Sequence, residues 1–133
     1  MNFRLTDKLE LHLLEEAHTQ ELFDVTEANR AHLRPYLTFV DHSVTFDDRL
    51  TFVREQVEAY EKKLGITFAI FYENQLVGLT GSHEIDQRTK SASIGFWLVA
   101  SAEGKGIMTL ATRRLIDVLF ETLQLHRVEI KHA

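Results

Sequence analysis

One short stretch constrains this chain more than any other: Ser101-Ala102-Glu103-Gly104-Lys105-Gly106-Ile107-Met108-Thr109. Before it runs an apolar segment, Ile94 to Val99, that predicts a strand; after it, Ile107, Ala111, Leu115, Val118 and Thr122 recur at helical spacing and share one face. Two glycines therefore stand where a strand passes into a helix. A helix N-terminus offers unpaired N–H groups and the positive end of the macrodipole, and glycine lets an anion approach them closely. The stretch is either an anion cradle or a tight turn that needs glycine only for positive φ, and Gly-x-Gly alone does not separate the two.

Nucleotide-binding patterns narrow the choice. A P-loop requires Gly-x-x-x-x-Gly-Lys-[Ser/Thr], whereas Lys105 lies between the glycines. A dinucleotide fingerprint requires a third glycine where Thr109 stands, although Glu129 lies at about the right distance to mimic its ribose-binding acid. The pattern that fits best is a pyrophosphate loop of the form Gln/Arg-x-x-Gly-x-Gly/Ala, here Glu103 to Met108, with Glu103 for the usual Gln or Arg and Met108 for the small residue. On these residues the chain resembles the GNAT N-acetyltransferases. With Ser93-Ile94-Gly95-Phe96-Trp97-Leu98 before the loop, it is similar to the branch that acetylates the N-termini of ribosomal proteins. The likeness covers nearly the whole chain.

A length of 133 residues suits a single domain, residues 1–133, with a core that needs no metal or disulfide. Cysteine is absent, which excludes thiol catalysis and thiolate metal sites. Net charge is −5, the wrong sign for a nucleic-acid binder and favourable for a cationic amine substrate. No apolar run approaches the roughly 20 residues of a membrane span, so no membrane partner is expected. The N-terminus lacks the apolar core of a secretory signal, and a cytoplasmic location is the expectation.

Read in order, Leu9, Leu11 and Leu13 alternate with polar residues as a first strand, and a helix is expected from about Glu15 to Asn29. A second helix carries Phe46, Leu50, Val53, Val57, Tyr60 and Leu64 as a stripe, with Thr45 and Asp48 as its cap and Gly65 as its stop. Ile66–Tyr72, Leu76–Ser82 and the strand ending at Val99 follow as an antiparallel run. A helix and a strand from Arg127 to Lys131 close the chain, the last strand parallel to the one before the glycines. The expectation is a mixed α/β sheet with helices on both faces. This matches the GNAT fold as far as its fifth strand, and the resemblance implies a domain truncated there.

The resemblance also implies the chemistry: direct transfer of acetyl from acetyl-CoA to an amine, which is a protein N-terminus or a small molecule. The acetyl arm would be held by the backbone of Trp97, Leu98 and Val99. Gly104, Lys105, Gly106, Met108 and Thr109 would meet the pyrophosphate. The similar Asn-Arg-x-x-Leu-Arg-Pro-x-Leu stretch of the branch overlies the acceptor, which makes Arg30, Arg34 and Tyr36 candidate substrate-binding residues. Ser93 stands where relatives often carry a catalytic Glu; Glu84 and Asp86 are the nearest acidic substitutes, and His83 is a further candidate. A non-catalytic acyl-CoA-binding domain is the alternative, and a homodimer is a partner state the chain could adopt. No metal site is expected: His12, Glu15, Glu16 and His18 lack the His-Glu-x-x-His spacing, and His126 and His132 lie at opposite ends of a strand.

Overall fold

A computed structural model describes residues 1–33, 45–86, 88–121 and 127–130. Strands β1 (Asn2–Arg4), β2 (Leu9–Leu13), β3 (Ile66–Tyr72), β4 (Gln75–Asp86), β5 (Ser91–Leu98) and β6 (Arg127–Ile130) form one six-stranded sheet in sequence order. Helices α1 (Thr19–Ala28), α2 (Arg30–Leu33) and α3 (Phe46–Glu61) lie between β2 and β3, and α4 (Ile107–Glu121) connects β5 to β6. Every ladder is antiparallel except β5–β6, which is parallel as the strand–helix–strand crossover requires.

The alternation of strand side chains assigns the helices to faces. On one side of β3, Phe68 packs 5.9 Å from the Phe3 ring, which in turn lies 4.1 Å under the Arg114 guanidinium of α4. On the other, Thr67 bonds Gln56 of α3 at 3.2 Å, and Phe71 lies 5.6 Å from the ring of His18. Successive residues of a strand point to opposite faces, so α4 covers one side and α1 and α3 the other. Ile107, Ala111, Leu115 and Val118 are all buried, the face their spacing predicts. Burial of Ile107, Leu115 and Val118 contributes about 1.5–3 kcal/mol each, and the Ala111 methyl less.

Several local details differ from the sequence reading. Asn2–Arg4 is a strand, so β6 is the sixth described strand where five were expected. The signal was hidden because β1 is short and only Phe3 of it is partly buried. The first helix begins with a 3-10 turn, Glu16–His18, in which His18 Nδ1 accepts from the Glu15 N–H at 3.1 Å. Thr45 caps α3 by accepting from the Asp48 N–H, as expected. The stripe on α3 is buried in its middle, at Val53, whereas Phe46 and Leu64 are exposed. The helix also stops earlier than Gly65: Lys63 takes the left-handed conformation, φ 59°, and the Leu64 N–H turns back to the Ala59 carbonyl at 2.8 Å. The β3–β4 hairpin turns on Glu73 and Asn74, both at positive φ, in the two-residue geometry that suits strand twist.

Candidate active site

Two features of the sheet create a cleft beside β5. The described β5–β6 ladder runs from Ser91–Arg127 to Ile94–Ile130, so Gly95 to Leu98 extend past it with β4 as their described partner. After Leu98 the chain makes a 3-10 turn, Ala100–Ala102, before the glycines and α4. The Val99 N–H is spent on the Val77 carbonyl at 2.9 Å, and the Val99 carbonyl accepts from Ala102 at 3.1 Å. The loop is thereby anchored, and a cleft of about 450 Å³ opens between it, β5 and α2. Its walls include His32, Trp97, Leu98, Gly104, Gly106 and Met108.

Gly104 and Gly106 have φ of 80° and 73°, conformations in which any other residue is strained. A Cβ built on either meets no atom within 4 Å, so the glycines also leave open space above the loop. The turn and the cradle are therefore the same object. Positive φ bends the chain, and Ile107, Met108 and Thr109, the first turn of the 15-residue helix α4, line the same cleft; the N–H groups of a helix's first turn have no partner within the helix. Donors of this kind, next to a strand edge, can hold an elongated ligand with a phosphate at one end.

The expected site residues divide by position. Trp97, Leu98, Gly104, Gly106, Met108 and Thr109 all line the cleft. Val99 is tied into the fold as described, and Lys105 is outside the lining, its Nζ 5.9 Å from the centroid of Tyr72. Ser93 faces two acidic register positions, Glu84 across the β4 ladder and Glu129 across the β6 ladder. A β-bulge between Gly81 and Glu84 produces that alignment by setting one extra residue into β4, and the buried Ser82 hydroxyl donates to the Ser93 carbonyl there. For His83 and Glu84 only the backbone is described.

Asp86 stands away from the cleft lining. Its Oδ1 accepts the backbone N–H groups of Arg88 (2.9 Å) and Thr89 (3.2 Å), and these bonds hold its carboxyl below the usual Asp value. It also pairs with Ser91, the end of β5 remote from Leu98. At about 3.3 Å per residue that is roughly 20 Å from the glycine loop. Arg30 pairs with Glu27 at 3.6 Å one turn away along the chain. Arg34 and Tyr36 lie outside the described residues.

One cleft residue that escaped the sequence reading is His32. His32 Nε2 lies 3.1 Å from the Leu98 carbonyl oxygen and 3.0 Å from Glu103 Oε1, joining α2 to both β5 and the loop. His32 and Leu98 stand 66 positions apart, and no spacing rule connects them. Among the described residues no helix is long and apolar enough to cross a membrane.

A family profile, the Acetyltransferase (GNAT) domain, matches residues 8–133. The chain belongs to the GNAT acetyltransferase family. It is an N-acetyltransferase by that membership, and its mixed sheet is the GNAT fold. The Bacillus subtilis protein YdaF, named as an N-acetyltransferase, is 32% identical over 96% of this chain and 70% of its own length. The ribosomal-protein-serine acetyltransferase of Escherichia coli is 29% identical over 96% of this chain and 72% of its own. In three dimensions the chain is similar to RimL, a ribosomal L7/L12 alpha-N-protein acetyltransferase solved with coenzyme A. There the TM-score is 0.92 at 23% identity, over 98% of this chain and 73% of the other.

Proposed function

We propose that residues 1–133 act as one domain that moves acetyl from acetyl-CoA to the α-amine of a protein N-terminus, with a ribosomal protein as acceptor and the cytoplasm as the setting. The observation that carries the reading is the cleft itself, in which two positive-φ glycines open onto the N-terminus of α4 beside the projecting edge of β5. The named acceptors of the relatives support the choice of substrate class.

The chemistry asks little of side chains. The amine lone pair forms a bond to the thioester carbonyl carbon, the C–S bond breaks, and one proton passes from the amine to the thiolate. Backbone groups of Trp97 and Leu98 orient the acetyl arm, and the N–H groups of Gly106, Met108 and Thr109 offset phosphate charge. Glu84 takes the proton from the attacking amine; what supports it is its register opposite Ser93, where a serine cannot act as a carboxylate.

The test is release of free CoA thiol from acetyl-CoA in the presence of peptides that copy ribosomal-protein N-termini, set beside the same peptides with a blocked N-terminus and small amines. Turnover confined to free N-termini supports the proposal. Tight acetyl-CoA binding with no acetyl transfer to any amine would replace it by a non-catalytic acyl-CoA-binding role, and turnover with small amines alone would move the acceptor class.

A further inference from the structure

The peptide groups at the end of β5 divide between two sides. The Val99 N–H donates to the Val77 carbonyl at 2.9 Å, which makes Val77 and Val99 a hydrogen-bonded pair. Opposed residues of an antiparallel ladder alternate, so the next pair, Gly78 and Leu98, is a non-hydrogen-bonded one. The Leu98 N–H and C=O therefore point away from β4, toward the side where His32 Nε2 lies 3.1 Å from the Leu98 oxygen and where Leu98 lines the cleft. A trans peptide is planar, with its C=O and N–H opposed. Whatever fixes the Trp97 carbonyl and the Val99 N–H on β4 thus aims the Leu98 N–H and C=O at the cleft.

On β4 the residues that do so are Val77 and Gly78. The β3 register passes from Ile70–Gly78 to Phe71–Leu76, so Val77 is an extra residue in a bulge, and its carbonyl is the acceptor for Val99. Gly78 beside it is pressed against the β5 backbone. A Cβ built there would lie 2.1 Å from the Trp97 carbonyl oxygen, 2.9 Å from Leu98 Cδ2 and 3.1 Å from Leu98 Cα. A C–C bond is about 1.5 Å long, so the Gly78 Cα itself is at most about 3.6 Å from that oxygen, within reach of a Cα–H···O=C contact. Any side chain at position 78 must part β4 from the Trp97 carbonyl until 2.1 Å becomes at least 3.0 Å, and the peptide that carries the Leu98 N–H moves with it.

We propose that Gly78 is a positioning residue for acetyl-CoA: by letting β4 press against the Trp97 carbonyl, it sets the direction in which Leu98 offers its N–H and C=O to the acetyl-bearing arm of the cofactor. The device is preorganisation, since both peptides are fixed on β4 before the ligand arrives. Gly81 provides the contrast. A Cβ there would lie 2.2 Å from the Ile66 carbonyl oxygen and 2.8 Å from Thr67 Cα, an overlap as severe but directed at β3, the neighbour of β4 on the side away from β5. One strand thus carries two close approaches, and the one at Gly78 bears on the groups that face the ligand.

This inference rests on the acetyl-CoA reading of the cleft. Gly78→Ala and Gly81→Ala are compared with wild type by calorimetric titration with acetyl-CoA and with 3′-phospho-ADP, which retains the cofactor's pyrophosphate and lacks the arm. Thermal denaturation of the same preparations gives the stability cost of each overlap. Both variants should lose Tm. The Kd for acetyl-CoA should rise about tenfold or more in Gly78→Ala and stay within about twofold of wild type in Gly81→Ala, because misplacing a binding group by about 1 Å can cost as much as roughly a hundredfold. The Kd for 3′-phospho-ADP should stay near wild type in both. Unchanged acetyl-CoA affinity in Gly78→Ala, an equal loss in the two variants, or a loss that extends equally to 3′-phospho-ADP overturns the role of Gly78 while leaving the cofactor reading intact. Amide hydrogen exchange of wild type decides the matter if Gly78→Ala fails to fold. The Val99 N–H, and the Leu79 N–H that the alternation places on the Trp97 carbonyl, should be protected equally with and without acetyl-CoA, whereas the Leu98 N–H gains protection with acetyl-CoA and not with 3′-phospho-ADP. Protection of Val99 and Leu79 that arises only on binding would show that the ligand, and not β4, sets the end of β5. Failure of wild type to bind acetyl-CoA removes both the proposal and the cofactor reading.

Discussion

Replacing Gly106 by alanine separates the glycine's backbone role from its role in leaving space. With φ at 73°, an alanine there incurs roughly 1–2 kcal/mol of left-handed strain, lessened by up to about 1 kcal/mol because the unfolded chain loses freedom as well. The added methyl touches no atom within 4 Å, so no steric term adds to this. The net loss is about 1 kcal/mol, which for a chain of this size lowers Tm by roughly 3–6 °C. Binding should suffer far more. The methyl projects into the space that the N–H groups of α4 face, and a phosphate must come to about 3 Å of those groups. Acetyl-CoA affinity should fall at least about tenfold, more than 1.4 kcal/mol, while the protein stays folded. Thermal denaturation and calorimetric titration on the same preparation measure both quantities. A Tm loss of the expected size with Kd unchanged would refute the idea that the loop seats the phosphates and would leave the glycines as a turn and nothing more.

The fold yields two further tests. Burial lowers the pKa of His18, and its Nδ1 is already the acceptor for the Glu15 N–H, so the folded state resists protonation there. The unfolded chain then binds more protons as pH drops below the ordinary His value of about 6.5, and stability should decline from that point downward while remaining level above it. The urea midpoint at pH 5 and at pH 7.5 measures this, and His18→Gln should show a smaller difference between the two; an equal drop in the variant would assign the pH effect to other groups. At the start of α3, Thr45→Ala removes the acceptor for the Asp48 N–H and should cost about 1 kcal/mol, with Thr45→Ser close to wild type; equal stability of all three would show that the cap contributes nothing.

How much was legible depends on how far apart the interacting residues are in sequence. The spacing of Ile107, Ala111, Leu115 and Val118 marks a helix face, and the face is buried because period and packing are local consequences of one geometry. The glycine loop was legible for the same reason, since positive φ at Gly104 and Gly106 is a property of consecutive residues. Phe46 and Leu64 were misread because periodicity along the chain does not tell where packing stops: Leu64 lies beyond the last turn of α3, and Phe46, at its first position, meets the Phe23 ring of α1 at 6.2 Å yet stays exposed. The bulge between Gly81 and Glu84 is a matter of ladder register, which depends on the partner strand as well as on its own residues.

The same distinction explains why the substitution at Ser93 need not abolish the site. A side chain on a strand belongs to its chain position, but a place on a sheet face is shared by three adjacent strands. At the level of Ser93 the neighbouring ladders carry Glu84 and Glu129, so a serine at one position has acidic residues at the two beside it. Read along the strand, Ser93 leaves that position without a carboxylate and points to Glu84 and Asp86 only as the nearest acidic residues in sequence. The sheet reads across strands, and in that direction the backbone positions of Glu84 and Glu129 lie one inter-strand spacing, about 4.8 Å, from that of Ser93. On the function proposed above, a carboxylate carried by a neighbouring strand can therefore serve as the general base at this level of the sheet, while the backbone of β5 orients the acetyl arm and the N-terminus of α4 meets the phosphates.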